Sequence, residues 1–148
     1  MRYLLDTNQW SYLQERHPHV TAHVRSLPAE AVLYMSVVTQ AELLAGVQLM
    51  TNMQRRQELM RLYHETVALA TEVLPITSEV AEHFARVYVA LKRIGRPIET
   101  NDIWIASIAF AHDLILVTSD EHFQYIPGLV LEDWSQQRDS HSTASTGV

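Results

Sequence analysis

The sequence contains no cysteine and only one lysine, Lys92, among its 148 residues. The absence of cysteine excludes disulfide bonds and metal sites built from thiolates, and it is compatible with a reducing compartment such as the cytoplasm. No apolar run is long enough to cross a membrane, and the short apolar stretch after Met1 does not have the form of a secretory signal. We therefore expect a cytoplasmic protein with no membrane attachment.

Length and composition limit the number of domains. With 148 residues, of which 47% are hydrophobic, the chain is long enough for one domain with a sizeable core and too short for two ordinary domains. It has no internal repeat and no recognisable linker. We expect one domain over residues 1–134 and a disordered tail over residues 135–148, because the tail lacks apolar periodicity.

Two short, uninterrupted apolar runs end in polar turns that contain an aspartate. Residues 3–5 lead into Asp6, and residues 114–117 lead into a turn that ends at Asp120. Runs of this kind are typical of parallel strands that are buried on both faces. In open α/β sheets, residues beyond the carboxyl ends of the strands face a crevice, so we expect the two aspartates to meet there.

Two further acidic residues lie at the predicted beginnings of helices. A third apolar run, residues 31–38, precedes Glu42, which lies in the opening turn of a helix predicted from Thr39 to about Met50. Asp102 opens a helix whose segment 103–111 is almost wholly apolar, as expected of a buried central helix. Further helices are predicted at residues 10–16, 20–27, 54–70 and 77–91, with a short strand or turn at 73–75.

The four carboxylates are candidates for one metal site. Carboxylates that converge without basic partners repel one another strongly, so such a cluster needs a divalent cation to remain ionised. Hard oxygen ligands favour Mg²⁺, and after it Mn²⁺. The candidate metal ligands and catalytic residues, which we call the four site acids, are Asp6, Glu42, Asp102 and Asp120.

Each site acid also has an ordinary structural interpretation. Glu42 could close a capping box with Thr39, and Asp102 could complement the positive end of its helix dipole. Asp6 and Asp120 could be turn formers. Taken singly, each of these interpretations is favoured, but all four acids occupy the same type of position in the strand–helix pattern, which favours a shared site.

Two polar neighbours of the site acids are candidates for orienting them. Asn8 lies two residues after Asp6, and Thr118 lies two residues before Asp120. Side chains of this kind hold metal-binding carboxylates in place by hydrogen bonds. Turn formation explains both residues nearly as well.

Four motifs, in this order and spacing, resemble the PIN-domain ribonucleases, and VapC-type toxins in particular. The motifs are Leu4-Leu5-Asp6-Thr7-Asn8, Ser36-Val37-Val38-Thr39-Gln40-Ala41-Glu42-Leu43 followed by Gly46, Asn101-Asp102-Ile103-Trp104-Ile105-Ala106, and Val117-Thr118-Ser119-Asp120-Glu121-His122-Phe123. The resemblance extends from Met1 to about Trp134. The sequence departs from the pattern at His122, where many relatives carry another carboxylate.

The resemblance implies a three-layer α/β/α fold with a mostly parallel central sheet. It also implies a magnesium-dependent endoribonuclease that cuts structured RNA, transfer RNA or ribosomal RNA, by means of metal-activated water. A small antitoxin would neutralise it, and the protein would be a homodimer. The toxin–antitoxin complex would repress its own operon, with operator DNA contacted only through the antitoxin.

The charge balance is unfavourable for binding RNA, since 11 basic against 17 acidic residues leave a formal net charge of −6. Part of the acidic excess is the proposed metal site itself, whose potential a bound cation would invert. A basic group of Arg86, Lys92, Arg93 and Arg96 precedes Asp102 and is a candidate contact for the RNA backbone. A solvated helix face, shared with Glu79 and Glu82, accounts for the group equally well.

Two other functions compete with the toxin hypothesis. The nearer one is a PIN-domain nuclease of RNA processing or DNA metabolism that has no antitoxin. The other is a non-catalytic PIN-fold binding module, which the retention of all four site acids disfavours. A receiver-type signalling domain also gathers acids at strand ends, but here no lysine follows the fourth strand.

Overall fold

The computed structural model describes residues 1–136, which fold around a five-stranded sheet. The strands are β1 (Arg2–Leu5), β2 (Val32–Ser36), β3 (Glu72–Leu74), β4 (Ile115–Val117) and β5 (Leu131–Glu132). Their order in the sheet is β3-β2-β1-β4-β5, and every neighbouring pair is parallel. The predicted mostly parallel sheet is confirmed, and the strands that the structure describes are all parallel.

Helices connect the strands and cover the sheet. They are α1 (Thr7–Gln14), α2 (Pro18–Ser26), α3 (Val37–Leu49), α4 (Met53–Leu69), α5 (Ser78–Arg93) and α6 (Thr100–His112), and a 3₁₀ helix runs over Glu121–Tyr125. Parallel strands require such crossover connections, because the chain must return to the same end of the sheet. None of the helices within residues 1–136 is long and apolar enough to cross a membrane.

Alternate side chains of β1 enter two separate cores, one on each face of the sheet. Leu4 packs into a core with Ile105 of α6, whereas Tyr3 and Leu5 pack into a core with Trp10 of α1. Both leucines are fully buried. Burial of a leucine contributes about 2 kcal/mol, so a shift of β1 by one residue would be strongly unfavourable. The two cores account for the predicted three-layer arrangement.

The register of β1 places the ends of two strands side by side. Leu5 is the partner of Val117 in the sheet, and the backbone N–H of Asp6 donates to the carbonyl of Val117 at 3.0 Å. The polar segments that follow β1 and β4 therefore leave the sheet at the same edge. The segments that contain Asp6 and Asp120 therefore lie side by side, as the sequence predicts.

The beginning of α3 differs from the prediction. The helix begins at Val37, two residues before the predicted start, because the buried Ser36 caps it and accepts the N–H of Thr39 at 3.0 Å. Thr39 is therefore inside the helix, and the alternative of a capping box between Thr39 and Glu42 is wrong. Glu42 lies in the second turn, so it has no structural role at the helix terminus.

The predicted tail is only partly within the described residues. Ser135 is held by two hydrogen bonds, since its N–H and its hydroxyl donate to Oδ1 of Asp133 at 2.9 and 2.6 Å. The rest of the tail, residues 137–148, lies outside the described residues.

Candidate metal centre

Asp6 is held from two sides at the junction of β1 and α1. Its side chain caps α1, with Oδ1 accepting the N–H of Gln9 at 2.9 Å. Its other oxygen, Oδ2, accepts the hydroxyl of Thr118 at 2.5 Å. Asp6 is only 5% exposed, so both hydrogen bonds lie out of bulk water and fix the carboxylate firmly.

Thr118 joins Asp6 to Asp120. Its hydroxyl donates to Asp6 and accepts the backbone N–H of Asp120 at 3.0 Å. Asp120 in turn begins the 3₁₀ helix and accepts the N–H of His122 at 2.9 Å. The imidazole Nδ1 of His122 lies 2.7 Å from the same carboxylate oxygen. Thr118 therefore occupies the position expected of a residue that orients the site acids.

Glu42 is oriented by a chain of hydroxyl groups from three elements. Thr7 of α1 donates to Oε1 of Glu42 at 3.3 Å, and the hydroxyls of Thr7 and Thr39 lie 2.9 Å apart. Ser36 at the end of β2 donates to the hydroxyl of Thr39 at 3.3 Å. These hydrogen-bonded hydroxyl groups link the buried end of β2 to the exposed carboxylate of Glu42. They therefore restrict the position of Glu42 relative to the sheet.

Asp102 lies in the first turn of α6, close to Glu99. The backbone N–H of Asp102 donates to the carbonyl of Glu99 at 3.0 Å. Glu99 occupies the capping position of α6, but its side chain makes no capping hydrogen bond. The carboxylate of Glu99 therefore adds negative charge to the site without accepting a capping hydrogen bond.

The four site acids line one open pocket at the carboxyl edge of the sheet. The other lining residues are Thr7, Asn8, Pro97, Ile98, Glu99 and His122. No lysine or arginine of the described chain contributes to this lining. Asn8 reaches the pocket, but its side chain makes no hydrogen bond to a site acid within residues 1–136, and its orienting role stays a prediction.

The electrostatics of the pocket fit a divalent cation. The pKa of Asp102 is raised to about 6, first by burial and then by the negative charges of Asp120, Glu99, Asp6 and Glu42, in that order of importance. Burial likewise raises the pKa of Asp6 to about 6, although its hydrogen bonds from Thr118 and Gln9 oppose the rise. A cation in the pocket would relieve both effects.

The spacing of the acids bears on how a cation would be held. Within residues 1–136, no three acidic or histidine side chains come close enough together to form a ready-made cage. Mg²⁺ retains several of its water ligands in protein sites, so it suits carboxylates that are set apart. The donor set therefore fits a divalent cation that keeps several water ligands better than a cation bound directly by all four acids.

The predicted basic group does not line the pocket. Arg86 lies 4.0 Å from Glu82 on the exposed face of α5, as the solvated-face interpretation predicts. Lys92 lies 5.7 Å from the ring centre of Tyr88. Arg96 is the member nearest the pocket in the chain, because the lining begins at the next residue, Pro97.

The sequence does not identify two residues of the site, Thr7 and Glu99. A threonine in an Asp-Thr-Asn turn suits the turn whether or not it also holds a carboxylate, so the pattern alone does not single out Thr7. Glu99 lies three residues before Asp102, and this spacing within a predicted first helical turn was the available signal. Only the structure shows that its carboxylate lines the pocket.

Comparisons with known proteins agree with the geometry. The family model of the PIN domain matches residues 3–129. The Ribonuclease VapC1 of Haemophilus influenzae is 34% identical over 138 residues, which cover 92% of this chain and 100% of the relative.

Solved structures give the same result. VapBC-1 from nontypeable Haemophilus influenzae contains a chain with a TM-score of 0.81 and 31% identity, covering 92% of this chain and all of the other. VapBC2 from Rickettsia felis, bound to a DNA fragment from its promoter, gives a TM-score of 0.77 and 27% identity, covering 90% of this chain and 99% of the other. The chain belongs to the PIN-domain family, within its VapC group.

Proposed function

We propose that the protein is a VapC-type toxin, a metal-dependent endoribonuclease that a cognate antitoxin neutralises. The observation that carries the proposal is the open pocket that all four site acids line and to which no lysine or arginine of residues 1–136 contributes. Such a pocket repels RNA until a cation is bound, so binding of the cation and binding of the substrate are coupled. The similarity to Ribonuclease VapC1 of Haemophilus influenzae and Ribonuclease VapC2 of Rickettsia felis supports the same activity.

We assign the four site acids as the ligands of Mg²⁺, with Mn²⁺ as a substitute, some of them acting through water. When bound, the cation would activate a water molecule for in-line attack and offset the charge that develops on the phosphate. Side chains of this protein hold the site acids in position for the cation. Thr118 holds Asp6, Thr7 holds Glu42, and the His122 backbone and imidazole hold Asp120.

The proposed substrate is structured RNA, either transfer RNA or ribosomal RNA, in the cytoplasm. Lys92, Arg93 and Arg96 lie at the end of α5 and in the segment that leads to the pocket, where they can meet the RNA backbone. Sequencing of RNA 5′ ends after induced expression would identify the target and the cleaved position. Cleavage spread evenly over all RNA would contradict a specific target.

The proposed partners are an antitoxin, a second copy of the chain and, only through the antitoxin, operator DNA. Solved relatives are VapBC assemblies, and one of them is bound to promoter DNA, which supports this arrangement. Expression of the protein alone should arrest growth, and co-expression of a small neighbouring gene should restore it. If strong expression of the RNA-cleaving protein has no effect on growth, and no product of a neighbouring gene binds it, the toxin hypothesis is wrong. A PIN-domain nuclease of RNA processing would then be the better hypothesis.

The metal mechanism has its own test in Asp6→Asn and Asp102→Asn. Each substitution removes one anionic ligand but keeps the shape of the side chain, and Asn can still cap α1 at position 6. We expect RNA cleavage to be abolished and Mg²⁺ binding, measured by calorimetry, to weaken sharply, while the circular dichroism spectrum stays unchanged. Wild-type cleavage that persists in excess chelator would exclude the mechanism.

A further inference from the structure

The guanidinium of Arg96 lies over the ring of Tyr125, with Cζ 3.9 Å from the ring centre. The backbone holds Arg96 in this place. Gly95 has a φ of +68°, which ends α5 and turns the chain, and the N–H of Arg96 donates to the carbonyl of Leu91 at 3.0 Å. The contact of an arginine with a tyrosine ring at this distance is a cation–π interaction.

This contact joins two segments that each contribute to the lining of the pocket. Arg96 directly precedes the lining residue Pro97, and Tyr125 ends the 3₁₀ helix that follows Asp120 and contains His122. The Arg96–Tyr125 pair therefore adjoins both lining segments along the chain. The positive charge of Arg96 is next to the lining in the chain without being part of it.

Arg96 has no acidic partner within residues 1–136, although the pocket beside it is rich in carboxylates. Other arginines are paired: Arg61 bonds to both Glu58 and Glu65, and Arg86 lies near Glu82. The contact with the ring leaves the N–H groups of Arg96 without a carboxylate partner within residues 1–136, so they can donate to another acceptor. These groups match the two oxygens of a phosphate, which a lysine ammonium cannot match in the same way.

We propose that Arg96, stacked on Tyr125, binds a backbone phosphate of the RNA strand beside the one that is cleaved, and so sets which phosphodiester reaches the four site acids. This inference rests on the proposed ribonuclease function and adds a positional role for one arginine and its tyrosine. The contact with the ring holds the guanidinium in place, and the guanidinium would then fix the position of the phosphate.

The test uses the full-length protein with Mg²⁺ and bulk bacterial transfer RNA, with KM and kcat measured and the cut ends sequenced. Arg96→Ala should raise KM about tenfold or more, the effect of losing a hydrogen bond to a charged group, and should spread the cut positions. Arg96→Lys should restore little, because it retains the charge but not the planar contact. Tyr125→Phe should behave like the wild type, whereas Tyr125→Leu should resemble Arg96→Ala.

Arg55→Ala is the matched control, because it removes one positive charge from an exposed position on α4 that does not line the pocket. It should change KM about twofold or less. An equal effect of Arg55→Ala and Arg96→Ala would overturn the proposal in favour of general attraction by charge. A fall in kcat with unchanged KM and cut positions would also overturn it, since the pair would then only brace the pocket. If the wild type cleaves no RNA, the proposed function fails together with this inference; if it cleaves and Arg96→Ala is unchanged, only this inference fails.

Discussion

The hydroxyl of Thr118 donates to the carboxylate of Asp6 across 112 residues of sequence, at 2.5 Å. The same hydroxyl accepts the backbone N–H of Asp120 at 3.0 Å. One small side chain therefore ties together two site acids from the ends of adjacent parallel strands. The arrangement depends on the pairing of Leu5 with Val117, which brings the two strand ends into register.

Thr118→Val should weaken metal binding without changing the fold. Valine has nearly the same shape as threonine but cannot hydrogen-bond, so Asp6 loses a bond that favours its charged form. Loss of such a supporting hydrogen bond costs about tenfold to a hundredfold in metal affinity or activity. The measurement is the Mg²⁺ concentration for half-maximal RNA cleavage. Thr118→Ser keeps the hydroxyl and is the control; equal requirements in both variants would contradict the role.

Thr7→Val should lower activity through Glu42. The substitution removes the donor that reaches Glu42 Oε1 and breaks the hydroxyl chain from Thr39. We expect the rate of cleavage at saturating Mg²⁺ to fall by about tenfold, because Glu42 is exposed and has no other side-chain partner within residues 1–136. Thr7→Ser should retain the wild-type rate. A normal rate in Thr7→Val would show that Glu42 needs no orientation.

The metal-free protein should lose stability as pH rises through about 6. The pKa values of Asp6 and Asp102 are raised to about 6 from an ordinary value of 3.8, so ionisation is less favourable in the folded state than in the unfolded state. The corresponding stabilisation is fully present below about pH 4 and is lost as the pH passes the folded value.

Asp102→Asn isolates this effect. In chelator at pH 7.5, the free energy of unfolding of the variant should exceed that of the wild type by about 1 kcal/mol, a value that allows for the partial exposure of Asp102. A difference of about 1 kcal/mol corresponds to an increase of about 3 °C in Tm. The difference should vanish near pH 4. Thermal melts followed by circular dichroism provide the measurement, and the exposed, distant Glu30→Gln serves as control. A difference that stays constant with pH would refute the assignment.

Mg²⁺ should oppose inhibition by the antitoxin. An arginine or lysine of the antitoxin that reaches the four site acids would offset the same repulsion that a cation offsets, so the two should compete. Raising Mg²⁺ should therefore increase the antitoxin concentration needed for half-inhibition of RNA cleavage. Substitution of that basic residue by alanine should remove the dependence on Mg²⁺. Inhibition that is independent of Mg²⁺ would place the antitoxin elsewhere.

The sequence by itself determined the parallel α/β architecture and the position of each site acid along the chain. Apolar runs and helical periodicity are local properties, and a residue that follows a buried parallel strand is carried to the carboxyl edge wherever that strand lies in the sheet. Local signals were weaker at the beginning of α3, where capping by Ser36 moved the start to Val37.

Only the tertiary structure decided which side chains touch. The contacts of Thr118 with Asp6, Thr7 with Glu42 and Arg96 with Tyr125 join residues that are far apart in the chain. Such contacts depend on the strand order β3-β2-β1-β4-β5 and on the strand register. A different strand order, or a shift of one residue in register, would separate the partners. The candidate site acids can thus be named from the sequence, whereas their orientation depends on the assembled sheet.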